Sequence, residues 1–313
     1  MELFAFYNVE NLFLPDPAPA HKLDPTISGL RNWDERKYRI KLSKIAHVFR
    51  LMKEEQGILP CIIGLCEISG RKVLEDLVKL DPFSSRYGIV HYNSLDERKV
   101  DVALLFDRSK IEILDSEAIT FFFEIIDHKP DNYDTTRDIL FVKLKYKDEI
   151  INVFVAHLPS KREKDINLPK RTFIMNEVKS RVLKILHSDH EKVMVCGDFN
   201  QNPDEESLVK FLYDENHNKI MHNPFQKLYS KRQYSNFHYK SGLLFDQILL
   251  SDSFFRDDSS LQFEKATVFN SENISVKQKG LDQRPFRTFA GTRYLGGFSD
   301  HYPVLVTLKE NLR

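Results

Sequence analysis

Short apolar runs that end abruptly in polar residues recur along the chain, and amphipathic stripes separate them. The tightest run is Val193-Met194-Val195-Cys196, closed by Gly197. Four consecutive apolar residues read as a strand buried on both faces. Asp198 and Asn200 follow it, and on a strand their i,i+2 spacing turns both side chains toward one spot. An Asx turn closing the strand accounts for the same two residues.

The rest of the chain repeats this pattern. Leu3–Tyr7 is a strand that runs into Asn8-Val9-Glu10-Asn11. Asn32-Trp33-Asp34-Glu35 resembles a capping box, and behind it Tyr38, Leu42, Ile45, Phe49 and Met52 mark the core stripe of a helix. Pro60–Glu67 is a second buried strand, ended by a carboxylate that is costly to bury unless paired or bound to a metal. A helix over Gly70–Leu80 precedes strands at Tyr87–Tyr92 and Val100–Phe106, with Asn93–Lys99 between them, and Ile111–Ile126 is β-rich. Ile139–Tyr146 and Glu149–Ala156 alternate as a hairpin, which leads into His157-Leu158-Pro159-Ser160-Lys161-Arg162. Helices are predicted over Thr172–Leu186 and Glu205–Tyr213, an edge strand at Tyr234–Lys240, and strands at Phe245–Ser251 and after Asp300-His301. No repeat or disordered linker interrupts this alternation, so a single domain over 1–313 is expected.

Composition narrows the partners. Lys+Arg and Asp+Glu both number 46, which cancels any global basic field toward nucleic acid or an anionic membrane. The three cysteines, Cys61, Cys66 and Cys196, fall inside apolar runs with no metal-ligand spacing, as buried thiols of a reducing compartment do. The first residues show no secretion-signal pattern and no apolar run reaches a membrane span. A cytoplasmic monomer without a membrane anchor is expected.

Six strand ends therefore carry polar groups: Asn8/Glu10, Glu67, His157/Ser160, Asp198/Asn200, Asp246 and Asp300/His301. Each has an ordinary explanation as turn or surface chemistry, but the ordered set resembles the endonuclease/exonuclease/phosphatase superfamily. The motifs are Asn8-Val9-Glu10, Leu65-Cys66-Glu67, Val155-Ala156-His157-Leu158-Pro159-Ser160, Gly197-Asp198-Phe199-Asn200, Phe245-Asp246-Gln247 and Ser299-Asp300-His301-Tyr302-Pro303. Asp101-Val102-Ala103-Leu104 and Arg287-Thr288-Phe289-Ala290-Gly291 also look like an uncharacterised bacterial branch of that superfamily.

The resemblance implies a DNase I-like α/β fold, a four-layer sandwich of two mainly antiparallel sheets flanked by helices, with the site at one rim. It implies hydrolysis of a phosphate ester with a divalent cation, Mg²⁺ with Mn²⁺ as substitute, and oxygen ligands suit such hard ions. By position, Glu67 is the principal metal ligand, Asn8 and Glu10 complete its site, and Asp300 serves a second or transient metal. Asp198 aligns or deprotonates the attacking water and Asn200 holds it or a phosphate oxygen. His301 contacts the scissile phosphate with Asp246 orienting it. His157 donates to the phosphate, and a histidine here, where abasic-site endonucleases carry a tyrosine, sets the chain apart from abasic-site repair. Ser160, Lys161, Arg137 and Arg287, with Arg293, are candidates for substrate phosphates, against the alternative of solvated surface charges.

A nucleic-acid phosphodiesterase is the first functional expectation. A phosphoesterase on a small, inositol or lipid phosphate is the second, and the neutral charge balance suits it. A non-catalytic binding module would have lost Glu67, Asp198, Asn200 or His301, and all four are present. The 14–32 and 125–136 loops are candidates for shaping specificity.

Overall fold

The structure, a computed structural model, describes residues 1–16, 30, 32–95, 100–124, 133–161, 165–188, 191–277 and 282–311. Most of the 14–32 and 125–136 loops, part of the Asn93–Lys99 connection and Arg162 lie outside them.

Two six-stranded sheets form the centre. The first runs, edge to edge, through Leu261–Val268, Val304–Glu310, Glu2–Leu12, Ile62–Ile68, Asp101–Asp107 and Tyr87–His91. The second runs through Met221–His222, Asp246–Ser251, Lys192–Asp198, Glu149–His157, Ile139–Tyr146 and Ile111–Ile119. In each sheet one central pair is parallel, Glu2–Leu12 with Ile62–Ile68 and Glu149–His157 with Lys192–Asp198, and the other pairs are antiparallel. The geometry follows from period 2. Along Lys192–Asp198, Met194 and Cys196 enter the core between the sheets, while Val193 and Val195 pack on the opposite face with Ile174, Val178 and Val182 of a helix. Both faces are buried, as the apolar run predicts.

Gly64 lets the sheets approach closely. A Cβ there would lie 2.9 Å from Cys196 Sγ and 3.3 Å from Val155 Cγ1 across the interface. Helices α1 (Glu35–Gln56) and α2 (Arg71–Val78) pack on the first sheet and α3 (Leu168–Ser188) on the second. The α1 cap is Asp34, two residues beyond the Asn32 of the expected capping box, and its carboxylate accepts the Lys37 amide at 2.8 Å. The α3 helix opens at Leu168-Pro169, four residues before the apolar stripe begins, where proline is well tolerated. The cysteines are buried and free. Among the described residues no helix is long and apolar enough to cross a membrane.

Candidate active site

Parallel neighbours end at the same edge, so Asn8, Glu67, His157 and Asp198 meet at one rim of the two sheets. Antiparallel neighbours reach that rim from their beginnings. Asp246 is paired with Asp198 at the first residue of its strand, and His301 stands just before Val304–Glu310.

At the centre, Asn8 Nδ2 donates to Asp198 Oδ2 at 3.1 Å and to Glu67 Oε1 at 3.2 Å, joining the two sheets through one amide. Its Oδ1 accepts the Glu10 amide at 3.0 Å. Glu67 Oε2 accepts the Asn11 amide at 2.9 Å. His157 Nε2 lies 3.8 Å from Asp198 Oδ2 and 4.0 Å from Glu67 Oε1. His301 Nδ1 is 2.6 Å from Asp246 Oδ2, which also accepts Ser235 Oγ at 2.5 Å, and His301 Nε2 is 4.0 Å from Asp198 Oδ2. Burial opposes charge on His301, but the carboxylates of Asp246, Asp198 and Asp300 outweigh it and hold its pKa well above the usual histidine range. Burial, then the Asp246 charge, raises Asp198 to about 6.

The backbone is bent here. Glu10, Glu67 and Asn200 have φ of 50°, 65° and 51°, the left-handed region that non-glycine residues seldom adopt. The strand pairs shift register at the first two of these, between Asn8 and Leu12 and between Cys66 and Ile68. Such bulges re-aim side chains. Asn200 departs from the expected i,i+2 alternation for a different reason. The strand stops at Asp198, and Asn200 is placed by an Asx turn, its amide on Asp198 Oδ1 at 2.9 Å and its Nδ2 on Leu158 O at 2.9 Å.

Glu10 and Asp300 form a second lobe. Glu10 Oε2 and Oε1 accept the amides of Thr288 and Phe289 at 2.6 and 3.1 Å, and burial, then Asp300, raises its carboxyl to about 7. Asp300 Oδ2 accepts Arg287 Nη2 at 2.9 Å. Lys41 of α1 is buried beside this lobe, its Nζ on Thr288 Oγ1 at 2.5 Å and Phe298 O at 2.6 Å. Burial lowers its pKa to about 8, against the pull of Glu10. The sequence reading missed Lys41, along with Ser235 and Thr288. The signal was its position, since 38, 41, 45, 48 and 52 follow helical spacing and place a lysine on the apolar stripe.

The phosphate-binding candidates divide. Arg137 is 9% exposed, not a solvated surface charge, and its buried Nε has no hydrogen-bond partner among the described residues. Its charge is felt at Cys66, next to Glu67. Lys161 is paired with both oxygens of Glu205 at 2.7 Å, and the Ser160 carbonyl accepts Asn167 Nδ2. Arg293 is exposed on a two-residue strand and does not join the cluster.

Asp198, Asp246 and His301 bring ligand atoms within 4.8 Å of one another. His301 is nevertheless hydrogen-bonded to Asp246, with Asp198 4.0 Å from its other ring nitrogen, and a histidine committed to a buried aspartate is a poor ligand for a hard cation. Glu67 suits that ion better. It is partly exposed, and its two oxygens accept one hydrogen bond each, from Asn8 Nδ2 and the Asn11 amide, in the hard-oxygen chemistry such an ion takes.

The sequence profile of the Endonuclease/Exonuclease/phosphatase family matches residues 3–310. No curated protein matches the sequence. Among solved structures, an endonuclease/exonuclease/phosphatase family protein from Bacteroides thetaiotaomicron is similar, with a TM-score of 0.62 and 15% identity over 100% of this chain and 98% of its own. So is the mannosyl-6-phosphatase of the same species, at 0.62 and 16% over 99% and 100%. Zebrafish (D. rerio) TDP2, solved with a single-strand DNA product, aligns at 0.59 and 15% over 98% of each chain. These likenesses bear out the two-sheet architecture.

Proposed function

Since the chain belongs to the endonuclease/exonuclease/phosphatase family and is a phosphoester hydrolase, we propose that it cleaves phosphodiester bonds of nucleic acid by attack of water. The observation that carries this reading is the Asp246–His301 pair beside Asp198, one amide away from Glu67. Asp198 aligns the water and takes its proton. Cationic His301 meets the phosphoryl oxygens, held by Asp246, and His157 donates to the phosphate or the leaving oxygen. Asn200 fixes the Asp198 turn, and Arg137 brings a buried charge to the substrate phosphate. Glu67, with Asn8 and Asp300, would hold a divalent cation, Mg²⁺ or Mn²⁺, and Glu10 braces that lobe through the Thr288 and Phe289 amides. When bound, the cation supplies charge neutralisation for the phosphoryl and leaving oxygens.

The structural neighbour solved with single-strand DNA supports a nucleic-acid substrate. The mannosyl-6-phosphatase and the formal net charge of zero support a second reading, a small phosphate ester. Supercoiled plasmid, single-stranded DNA and RNA, incubated with Mg²⁺ beside a sugar phosphomonoester, separate the two. Cleavage of a nucleic acid that Asp198→Ala abolishes is the expected result. Turnover of the monoester alone would overturn the nuclease reading.

A further inference from the structure

A cavity of about 380 Å³ opens beside the candidate active site, with Phe237, Arg284, Phe286, Arg287, Leu295 and Asp300 in its wall. Asp300 ties it to the site, since the next residue is His301 and Asn236 bridges to His301 through the backbone. The volume falls in the range of small-molecule sites.

The wall is two-faced. Phe237, Phe286 and Leu295 offer flat and apolar surface for a ring. Arg287 is already paired with Asp300 at 2.9 Å. Arg284 has no ion pair among the described residues. It is partly buried, its guanidinium lies over the Phe237 ring at 5.0 Å, and its Nε is buried without a hydrogen-bond partner among the described residues. A buried donor without a partner is costly, and stacking on an aromatic ring holds the planar fork in place without using its donors. The cavity thus carries one uncompensated positive charge on a preset guanidinium, next to a ring-sized apolar wall. Bidentate contact with phosphate is the chemistry that such a fork fits best.

We propose that this cavity is a subsite for a second phosphate, carried on the sugar ring that bears the scissile one. The proposal rests on the phosphoesterase reading and deepens it. The second phosphate is either the next link of a strand or a terminal phosphate of a small bisphosphate. Binding energy collected away from the reacting bond then favours bisphosphorylated substrates.

Three thymidine 5′-(p-nitrophenyl phosphate) esters test it: one with a free 3′-hydroxyl, one with a 3′-phosphate, and one with a 3′-phosphodiester to a second thymidine. All are assayed with Mg²⁺ beside bis-p-nitrophenyl phosphate. The expected kcat/KM for at least one 3′-phosphorylated ester is about tenfold or more above the 3′-hydroxyl ester, as for one charge-assisted contact. In Arg284→Met that ratio falls to about 1, and Arg284→Lys, which keeps the charge but not the fork, recovers part of it. Preference for the diester identifies a strand as the source, and preference for the monoester identifies a small bisphosphate. A wild-type ratio near 1 for both, or a ratio that Arg284→Met leaves intact, overturns the subsite. So does hydrolysis of bis-p-nitrophenyl phosphate with none of the thymidine esters. No hydrolysis of any of the four instead overturns the phosphoesterase reading beneath it.

Discussion

His301 Nδ1 stands 2.6 Å from a fully buried aspartate, and its Nε2 faces Asp198 at 4.0 Å. Asp246→Asn keeps the shape and removes the charge. The expected loss is about 100- to 1,000-fold in kcat, the scale of a mispositioned acid–base group. The sign for pH follows from the raised pKa of His301. Without Asp246 that pKa falls, so the cation is lost at lower pH and the alkaline limb of the kcat profile moves down. An unmoved limb would show that Asp246 only packs. Asp246 and His301 were legible as an acid and a base at strand ends, but 55 residues separate them, and the family resemblance, not the apolar–polar pattern, paired them before the fold did. Lys41 could be placed on the buried face by its spacing, but its partners Thr288 and Phe298, 247 and 257 residues away, could not be read from the helix.

The parallel pair at the centre of each sheet is the element that makes the site, because it brings two strand ends to one rim in each layer. Gly197 shows how tightly the second pair is set. A Cβ there would strike the Ala156 carbonyl of the adjoining strand, one residue before Asp198 and His157. Gly197→Ala should therefore destabilise by about 2 kcal/mol, as overpacking does, and should lower kcat by displacing both strand ends. Denaturant unfolding beside single-turnover rates measures the two effects, and an unchanged midpoint would contradict this packing. Strands, their two-sided burial and the loops that follow them were readable from apolar runs. The left-handed residues Glu10, Glu67 and Asn200 were not. Tertiary register imposes those conformations, and no glycine marks them in the sequence.

Across the whole molecule, charges pin the sheets at the edge away from this chemistry. Glu310 accepts hydrogen bonds from Lys147 and Tyr146 and pairs with the Met1 ammonium at 3.3 Å. Hydrogen bonding by Lys147, then by Tyr146, holds its carboxyl at about 2, below the ordinary 4.5. A depressed pKa stabilises the fold fully above the unfolded value and loses its effect as pH falls through the folded one. Glu310→Gln should therefore lower Tm near pH 7, and the difference from wild type should shrink between pH 4.5 and 2. A difference that does not change with pH would assign the effect to packing. Under the proposed function, net charge zero fits recognition by a few particular cations, with Arg137 as the proposed one, more than by a broad basic surface. Hydrolysis of bis-p-nitrophenyl phosphate by metal-stripped protein titrated with Mg²⁺, wild type beside Glu67→Gln and His301→Ala, tests whether this rim is a metal-assisted phosphoesterase site. Activity that appears with the metal, needs far more of it in Glu67→Gln and is lost in His301→Ala is the predicted result. Full turnover in EDTA, or in folded His301→Ala, would contradict it.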